Sequence, residues 1–443
     1  MKANIHSSAK PRVVIVGGGL GGLELVSRLK GSGFQVVLID KNNYNQFPPL
    51  IYQVASSGLE PSNIAFPFRR LFQRYKDFYF RMGKVLAVDT EQKRLRTTFG
   101  RVDYDVLVLA AGATTNFFGN ANVEAATYPM KSVTEGIRLR NVVLQNLEEA
   151  ITEDDAERRQ SLLNVVIVGG GPSGVEIAGA LADMKQMVIP RDYPDLDYRS
   201  MNIYLLDAAD RLLGAMSPKS SAIAERDLME MGVMVKLNSM VTDYSDGCVR
   251  LKDGTTIKSD TVVWVSGIRA NTFDGIGGDH LGRGARIITD RFCRVSGLDD
   301  VYAIGDGSII EGDEHYPGGH PQLAQVAIQQ ARLVARNLRA ERRGKEPHPF
   351  AYRCLALRDA FIAKRRKNLG TMATIGRKKA VVEIGKLKFG GFVAWMLWLV
   401  VHLRSILGVK NKTVVFLNWM WNYFNYTQSL RLILKPKPQK PKC

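Results

Sequence analysis

Three carboxylates stand where runs of apolar residues give out: Asp40 after Val36–Ile39, Asp207 after Ile203–Leu206, and Asp306 after Val301–Gly305. A fourth, Glu176, follows a glycine-rich turn, and two amides, Gln325 and Gln329, are spaced by four. A carboxylate at the end of a strand can accept hydrogen bonds from a ribose or ribityl hydroxyl. A carboxyl beside a flat redox ring can orient it or pass protons, although at a helix start it also simply answers the dipole. Two amides at i and i+4 share one helix face and could frame a flat, polar-edged ligand; on helix geometry alone a solvated amide pair is the plainer reading. All of these groups hold and orient, so the harder chemistry falls to a bound cofactor.

The elements that would position them occur as two copies of one unit. Val13 to Gly22 reads Val-Val-Ile-Val-Gly-Gly-Gly-Leu-Gly-Gly: a buried strand, a glycine turn, and a helix predicted to start at Leu23. Gly17, Gly19 and Gly22 have the G-x-G-x-x-G spacing that allows a tight turn, backbone approach to a pyrophosphate, and close helix–strand packing. The helix start supplies free N–H groups for the phosphates. Asn164 to Gly174 repeats the pattern with Gly169, Gly171 and Gly174, and Asp207 ends the partner strand. Gly174 and Asp207 stand further apart than the usual ~20 residues, and Met184 to Arg199 accounts for the excess. A duplication with one dead site is the rival reading; two complete units with terminal acids point to two dinucleotide sites. Asp207 favours NAD over NADP, because a carboxylate bonds the 2′-hydroxyl and repels a 2′-phosphate. Arg211, four residues on, pulls the other way.

Other stretches admit two readings each. Asp105 to Gly112 is a strand ending in Ala111 and Gly112, small residues that let a cofactor approach or merely pack. Asp306, after Gly305, is a turn residue or an acceptor for the ribityl chain of FAD; following two nucleotide loops, the second reading is the stronger. Tyr44 to Pro61 is a loop with a short helix, or a segment lying along a flavin ring. Pro321 opens a helix expected to run to about Arg339, on which Ala324 and Ala327 keep the neighbourhood of Gln325 narrow.

The chain has 443 residues, enough for two or three domains, and a net charge of +18. All of that excess lies from Glu341 onward, where 22 Lys/Arg face 4 Asp/Glu. A body of neutral balance therefore carries a basic C-terminal quarter, which suits a membrane surface or a nucleic acid. Cys248, Cys293, Cys354 and Cys443 show no C-x-x-C spacing, so neither a disulfide framework nor a zinc site is expected. Residues 1–10 are polar and carry no signal-peptide pattern.

Phe392 to Leu403 and Thr413 to Tyr426 are aromatic-rich apolar stretches that hold four of the five tryptophans. The first is too short for the ~20 residues of a bilayer span. Basic residues flank both: Lys386 and Lys388, then Arg404, Lys410 and Lys412, then Arg431, Lys435 and Lys437. Tryptophan and tyrosine favour the lipid–water boundary and lysine and arginine its anionic headgroups, so two interfacial helices in one leaflet are expected. A buried core helix or a homodimer interface is the rival use. Nucleic acid is not expected, because the aromatics are clustered rather than interleaved with Lys/Arg.

With these pieces in place, the chain resembles the type II NADH dehydrogenases, single-subunit NADH:quinone oxidoreductases that do not pump protons. The likeness rests on Val-Gly-Gly-Gly-Leu-Gly-Gly-Leu-Glu, on Val-Gly-Gly-Gly-Pro-Ser-Gly-Val-Glu, on Ala-Ile-Gly-Asp, on the run Met372 to Arg377, and above all on Ala324 to Gln329, which matches the family's A-Q-x-A-x-Q motif. The resemblance implies an α/β fold: two Rossmann-like domains, the NAD domain inserted in the FAD domain, plus a C-terminal amphipathic membrane-association region. The expected segments are 1–120 and 269–345 for FAD, 121–268 for NADH, and 346–443 for the membrane. It implies that Gly17, Gly19, Gly22, Asp40, Ala111, Gly112, Gly305 and Asp306 bind FAD, and that Gly169, Gly171, Gly174 and Asp207 bind NADH. Glu176 would sit near nicotinamide and flavin, Gln325 and Gln329 match residues of the pocket for the quinone, a menaquinone or ubiquinone, and Ala324 and Gln325 count among the cofactor-binding positions. The expected location is the cytoplasmic face of the cell membrane, peripheral or monotopic. One departure from the family pattern is a basic insertion from Arg353 to Leu369, including Lys364-Arg365-Arg366-Lys367. Disulfide reductases and sulfide:quinone reductases of the wider superfamily need cysteines at the flavin, which these spacings do not supply.

Overall fold

A computed structural model describes residues 3–352, 371–385, 387–425 and 431–434. The basic insertion, Lys386, Tyr426, Lys435 and Lys437 lie outside the described residues. In chain order, the elements that position the site are β1 (Arg12–Val16), α1 (Leu20–Leu29), β2 (Gln35–Asp40), α2 (Ile51–Ala55), β3 (Phe78–Met82), β4 (Val106–Leu109) and β5 (Tyr128–Pro129). Then come β6 (Asn164–Val168), α3 (Pro172–Met187), β7 (Asn202–Leu206), β8 (Val233–Lys236), β9 (Thr261–Trp264), β10 (Val301–Ala303) and α4 (Ala324–Glu341). The chain closes with β11 (Thr371–Gly376), β12 (Lys379–Ile384), β13 (Leu387–Gly390), α5 (Phe392–Ser405) and α6 (Val409–Asn425).

The chain divides into two units. The first comprises Met1–Gln46, Phe66–Thr114 and Ile268–Arg353. Its five-stranded sheet runs β10-β4-β1-β2-β3, every neighbouring pair parallel. Parallel strands covered on both faces should read as unbroken apolar runs, and Val13, Val14, Ile15, Val36, Val37 and Leu38 are fully buried. Helix α1 packs against α4. Arg332 on α4 and Arg28 on α1 both reach Glu24, at 2.6 and 2.9 Å.

The second unit comprises Phe47–Ala65, Thr115–Gly267 and Cys354–Cys443. Its sheet, β5-β9-β6-β7-β8, is also parallel and repeats the first in its middle: the glycine-loop strand lies beside the strand that ends in a carboxylate. The antiparallel sheet β11-β12-β13 packs through β11 on α3 and through β12 on α5. Glu383 on β12 accepts hydrogen bonds from the Ser217 N–H at 2.8 Å and the Ser220 hydroxyl at 2.7 Å, at the start of the helix Pro218–Glu230.

Two helix starts differ from expectation. Helix α1 begins at Leu20, with Gly19 as its N-cap, so the first turn is made by the glycine motif itself. Helix α4 begins at Ala324 rather than Pro321, because Gln322 leaves the helical path and donates to the Asp306 carbonyl at 2.8 Å.

Candidate functional site

In the first unit, β1 runs into the glycine loop at Gly17, whose φ is +102° and whose missing Cβ would stand 2.4 Å from the Ala110 carbonyl oxygen. A Cβ on Gly22 would stand 1.9 Å from the Gly17 oxygen, so only glycine lets α1 start this close to β1. A Cβ on Gly19 meets nothing within 4 Å. Gly19 caps α1 without a side-chain hydrogen bond, leaving the first-turn N–H groups to face that open space. A dinucleotide pyrophosphate fits this cradle. Asp40, at the end of β2, accepts from the Gly18 N–H at 2.6 Å and the Asn42 N–H at 2.7 Å, so it fixes the glycine loop. Burial raises its pKa against those two donors. Ala111 and Gly112 follow β4; their carbonyls accept from Asn271 at 2.8 and 3.1 Å. Gly305 and Asp306 form one turn of helix after β10. The Gly305 N–H donates to Gln330 at 2.7 Å.

Gln330 is 2% exposed and was not singled out from the sequence. It ties the Asp306 turn to α4. Ala324 and Gln325 are exposed on the first turn of α4, and Gln329, on the same face as Gln325, is half-buried.

The second unit repeats the cradle. Gly169 has φ +117°, a Cβ on Gly174 would stand 1.8 Å from the Gly169 oxygen, and a Cβ on Gly171 meets open space. Asp207 accepts from the Gly170 N–H and from the Ala209 N–H, the latter at 2.7 Å. Arg211 turns to the Gly214 carbonyl, 2.9 Å away.

Glu176 projects from the second turn of α3. Burial pushes its carboxyl up to about 8, against one backbone N–H bond from Thr374 on β11. Two turns on, Asp183 accepts from the Arg377 N–H at 2.8 Å; burial raises its carboxyl to about 6, opposed by that bond and by the charges of Arg377 and Lys379. Tyr52 on α2 is 7% exposed, accepts from Gln53 at 2.7 Å, and is hydrogen-bonded to the Thr374 side chain. Burial and the charge of Glu176 hold its hydroxyl protonated. Gln53 in turn accepts from the Trp419 indole at 2.9 Å. Close passage of β11 over α3 depends on Gly179, where a Cβ would meet the Ile375 carbonyl at 1.6 Å.

The raised carboxyl of Glu176 has a consequence for stability. A carboxyl whose folded pKa lies above its unfolded value costs nothing while both states are protonated, below about pH 4.5. The cost grows as pH rises and is complete above about pH 8. Glu176→Gln removes that cost. Its melting temperature is expected to match the parent at pH 4 and to exceed it by a few degrees at pH 9; equal values at both pH values would contradict the assignment.

Comparison with known proteins adds a family. Residues 11–331 match the pyridine nucleotide-disulphide oxidoreductase family, and residues 368–425 match the NDH2 C-terminal domain. A type II NADH:quinone oxidoreductase of Mycobacterium tuberculosis is 34% identical over 421 residues, covering 92% of this chain and 87% of that protein. The chain belongs to the type II NADH dehydrogenases. An internal alternative NAD(P)H-ubiquinone oxidoreductase of Solanum tuberosum is 29% identical over 440 residues, covering 94% and 86% of the two chains. The NDH2 of Plasmodium falciparum, solved in complex with NADH, superposes with a TM-score of 0.84 at 18% identity, over 96% of this chain and all of that one. The expected fold is therefore that of this type II NADH dehydrogenase. Among its described residues no helix is long and apolar enough to cross a membrane.

Proposed function

We propose that the chain moves two electrons from NADH through FAD to a quinone without pumping protons. The observation that carries this reading is the pair of glycine cradles, each closed by its own carboxylate, in a member of a family whose relatives are NADH:quinone oxidoreductases. FAD, when bound, would supply the hydride-accepting and electron-passing chemistry; the protein binds and orients. Gly17, Gly19, Gly22 and Asp40 would hold the FAD pyrophosphate and ribose, Ala111, Gly112 and Gly305 would leave the flavin close backbone, and Asp306 would accept from the ribityl chain. Gly169, Gly171, Gly174 and Asp207 hold NADH. Arg211 is engaged by the Gly214 carbonyl of its own loop, and the Asp207 carboxylate would repel a 2′-phosphate, which supports NADH over NADPH. Glu176 would orient the nicotinamide, and Gln325 and Gln329 the quinone.

The quinone is a membrane quinone, met at a lipid surface on the cytoplasmic face. Support comes from α5 and α6, which are apolar on two sides. Trp398 and Ala394 are buried in the protein, while Val393, Val400 and Phe416 are 68%, 59% and 50% exposed. The deciding experiment is steady-state turnover of the purified yellow protein with NADH and with NADPH, against menaquinone and ubiquinone analogues. Rapid NADH-dependent quinol formation is expected; NADH oxidation with no quinone as acceptor would refute the reading.

A further inference from the structure

Arg286 opens the strand Arg286–Thr289, which runs parallel to Ser308–Ile310 with Ile287 opposite Ser308. Its guanidinium spans two separate stretches of backbone: Nε donates to the Ser308 carbonyl at 2.7 Å and Nη2 to the His320 carbonyl at 3.0 Å. Nη1 lies against Gly319, whose φ is +81° and whose missing Cβ would stand 3.3 Å from it. Arg286 thus pins both ends of the segment 308–320, which leaves the Asp306 turn and leads towards α4. Three further bonds hold the turn itself. Gln322 donates to the Asp306 carbonyl at 2.8 Å, the Gly305 N–H donates to Gln330 at 2.7 Å, and the Ser308 hydroxyl donates to the Gly305 carbonyl at 3.1 Å. A Cβ on Gly305 would stand 3.2 Å from the Ala327 methyl, so the turn also packs directly on α4. All of these residues belong to the first unit.

We propose that Arg286 and Gln330 are positioning residues for the flavin: together they hold the Gly305–Gly307 turn in register with α4, so that Asp306 is presented to the ribityl chain of FAD as a fixed acceptor. This rests on the function proposed above, in which Asp306 accepts from that chain. The bonds made by Arg286, Gln322, Gln330 and Ser308 all end on backbone N–H or carbonyl groups. They therefore fix the turn without using the lone pairs of the Asp306 carboxylate, which is acceptor-only when ionised. Burial lowers the pKa of Arg286, and the negative charge of Asp306 opposes that shift. The attraction is mutual, so the guanidinium steers the carboxylate as well as the backbone beside it.

The two residue types suit the two tasks. A planar guanidinium reaches two carbonyls at once from one anchored side chain, whereas a lysine would bring the same charge to a single point. Gln330 is 2% exposed and supplies one amide oxygen to the Gly305 N–H; without it that N–H loses its acceptor. Its neighbour Gln329 lies on a different face of α4, shared with Gln325. One helix thus carries the acceptor that fixes the flavin-side turn and the amides proposed for the quinone. A turn that slips against α4 changes the register between the two.

The test reads FAD retention and the midpoint potential of the bound flavin in the purified holoenzyme. Gln330→Met keeps the side-chain length and removes the acceptor; FAD is expected to be held about tenfold or more weakly. Arg286→Lys keeps the charge but not the reach to two carbonyls, so FAD should loosen by a similar factor while the potential stays close to the parent's. Arg286→Met removes the charge as well, and its potential should fall, because the reduced flavin is the more negative form and loses a nearby cation. Parent-like retention in all three variants would overturn the proposal. So would loss of FAD and of thermal stability with the potential unchanged in Arg286→Met, which marks a merely structural brace. If Arg286→Met folds poorly, retention in Gln330→Met and Arg286→Lys decides the matter. A parent protein that holds FAD and is reduced by NADH but passes no electrons to quinone would instead refute the function proposed above and leave these positioning roles standing. A parent purified without flavin would refute the FAD assignment on which they depend.

Discussion

Gly174→Ala is expected to yield a protein that is still yellow but oxidises NADH only at about a hundredfold higher concentration. The added Cβ would stand 1.8 Å from the Gly169 carbonyl oxygen, so the start of α3 must move away from β6. That movement displaces the N–H groups that would hold the NADH pyrophosphate, and it strains a contact that cannot be relieved by turning a side chain. Overpacking of this kind costs about 1–3 kcal/mol or more, and the misplaced donors add to it, so NADH affinity should fall about a hundredfold. The first cradle gives the mirror experiment. Gly22→Ala sets its Cβ 1.9 Å from the Gly17 oxygen. The expected product is colourless, having lost FAD, and inactive with every acceptor. Flavin absorbance and an NADH titration distinguish the two. Loss of flavin from Gly174→Ala, with flavin retained in Gly22→Ala, would reverse the assignment of cofactor to cradle.

These cradles were legible because their chemistry is contiguous: strand, turn, helix and terminal acid follow one another within a few tens of residues. Even there a detail was hidden. Asp40 and Asp207 each bond the middle glycine of their loop, Gly18 and Gly170, and only folded coordinates show a side chain reaching back across about two dozen residues or more. Gln330 escaped notice for a related reason. Its neighbours Gln325 and Gln329 have a readable i,i+4 relation, whereas Gln330 acts on Gly305 through the tertiary packing of α4. The pocket lined by Tyr52, Asp183 and Thr374 was further out of reach, since these residues come from three distant parts of the sequence. Glu176 and Asp183 do have a readable spacing. Polar residues at that spacing usually mark the solvated face of a helix, and it is β11, held close to α3 by Gly179, that turns this face inward. The short-helix reading of Tyr44 to Pro61 was correct as far as it went; α2 occupies its middle and carries Tyr52 and Gln53.

Val393→Glu together with Val400→Glu is expected to release the protein from anionic vesicles and to cut quinone reduction in those vesicles more than tenfold. Turnover with ferricyanide should be unchanged. Helix α5 has 14 residues, a length of about 21 Å against the ~30 Å of a bilayer core, so it can lie in the interface but not cross it. Ala394 and Trp398 face the protein, while Val393, Met396 and Val400 recur at helical spacing on the opposite side, between 43% and 68% exposed. Each such side chain gains roughly 1–2 kcal/mol on leaving water. Arg404, Lys410 and Lys412 at the α5–α6 turn add about 1 kcal/mol each near anionic lipid. Two carboxylates on the apolar side forfeit the first contribution and oppose the second. Both positions are exposed, so the fold is not asked to bury the new charges. Vesicle flotation measures the release, and binding by the parent should weaken with salt, since the basic contribution is screened within about 10 Å at 0.1 M. A second copy of the chain could cover the same apolar side. In that case the double variant would turn a dimer into a monomer by light scattering while leaving vesicle binding intact, and the lipid assignment would fail.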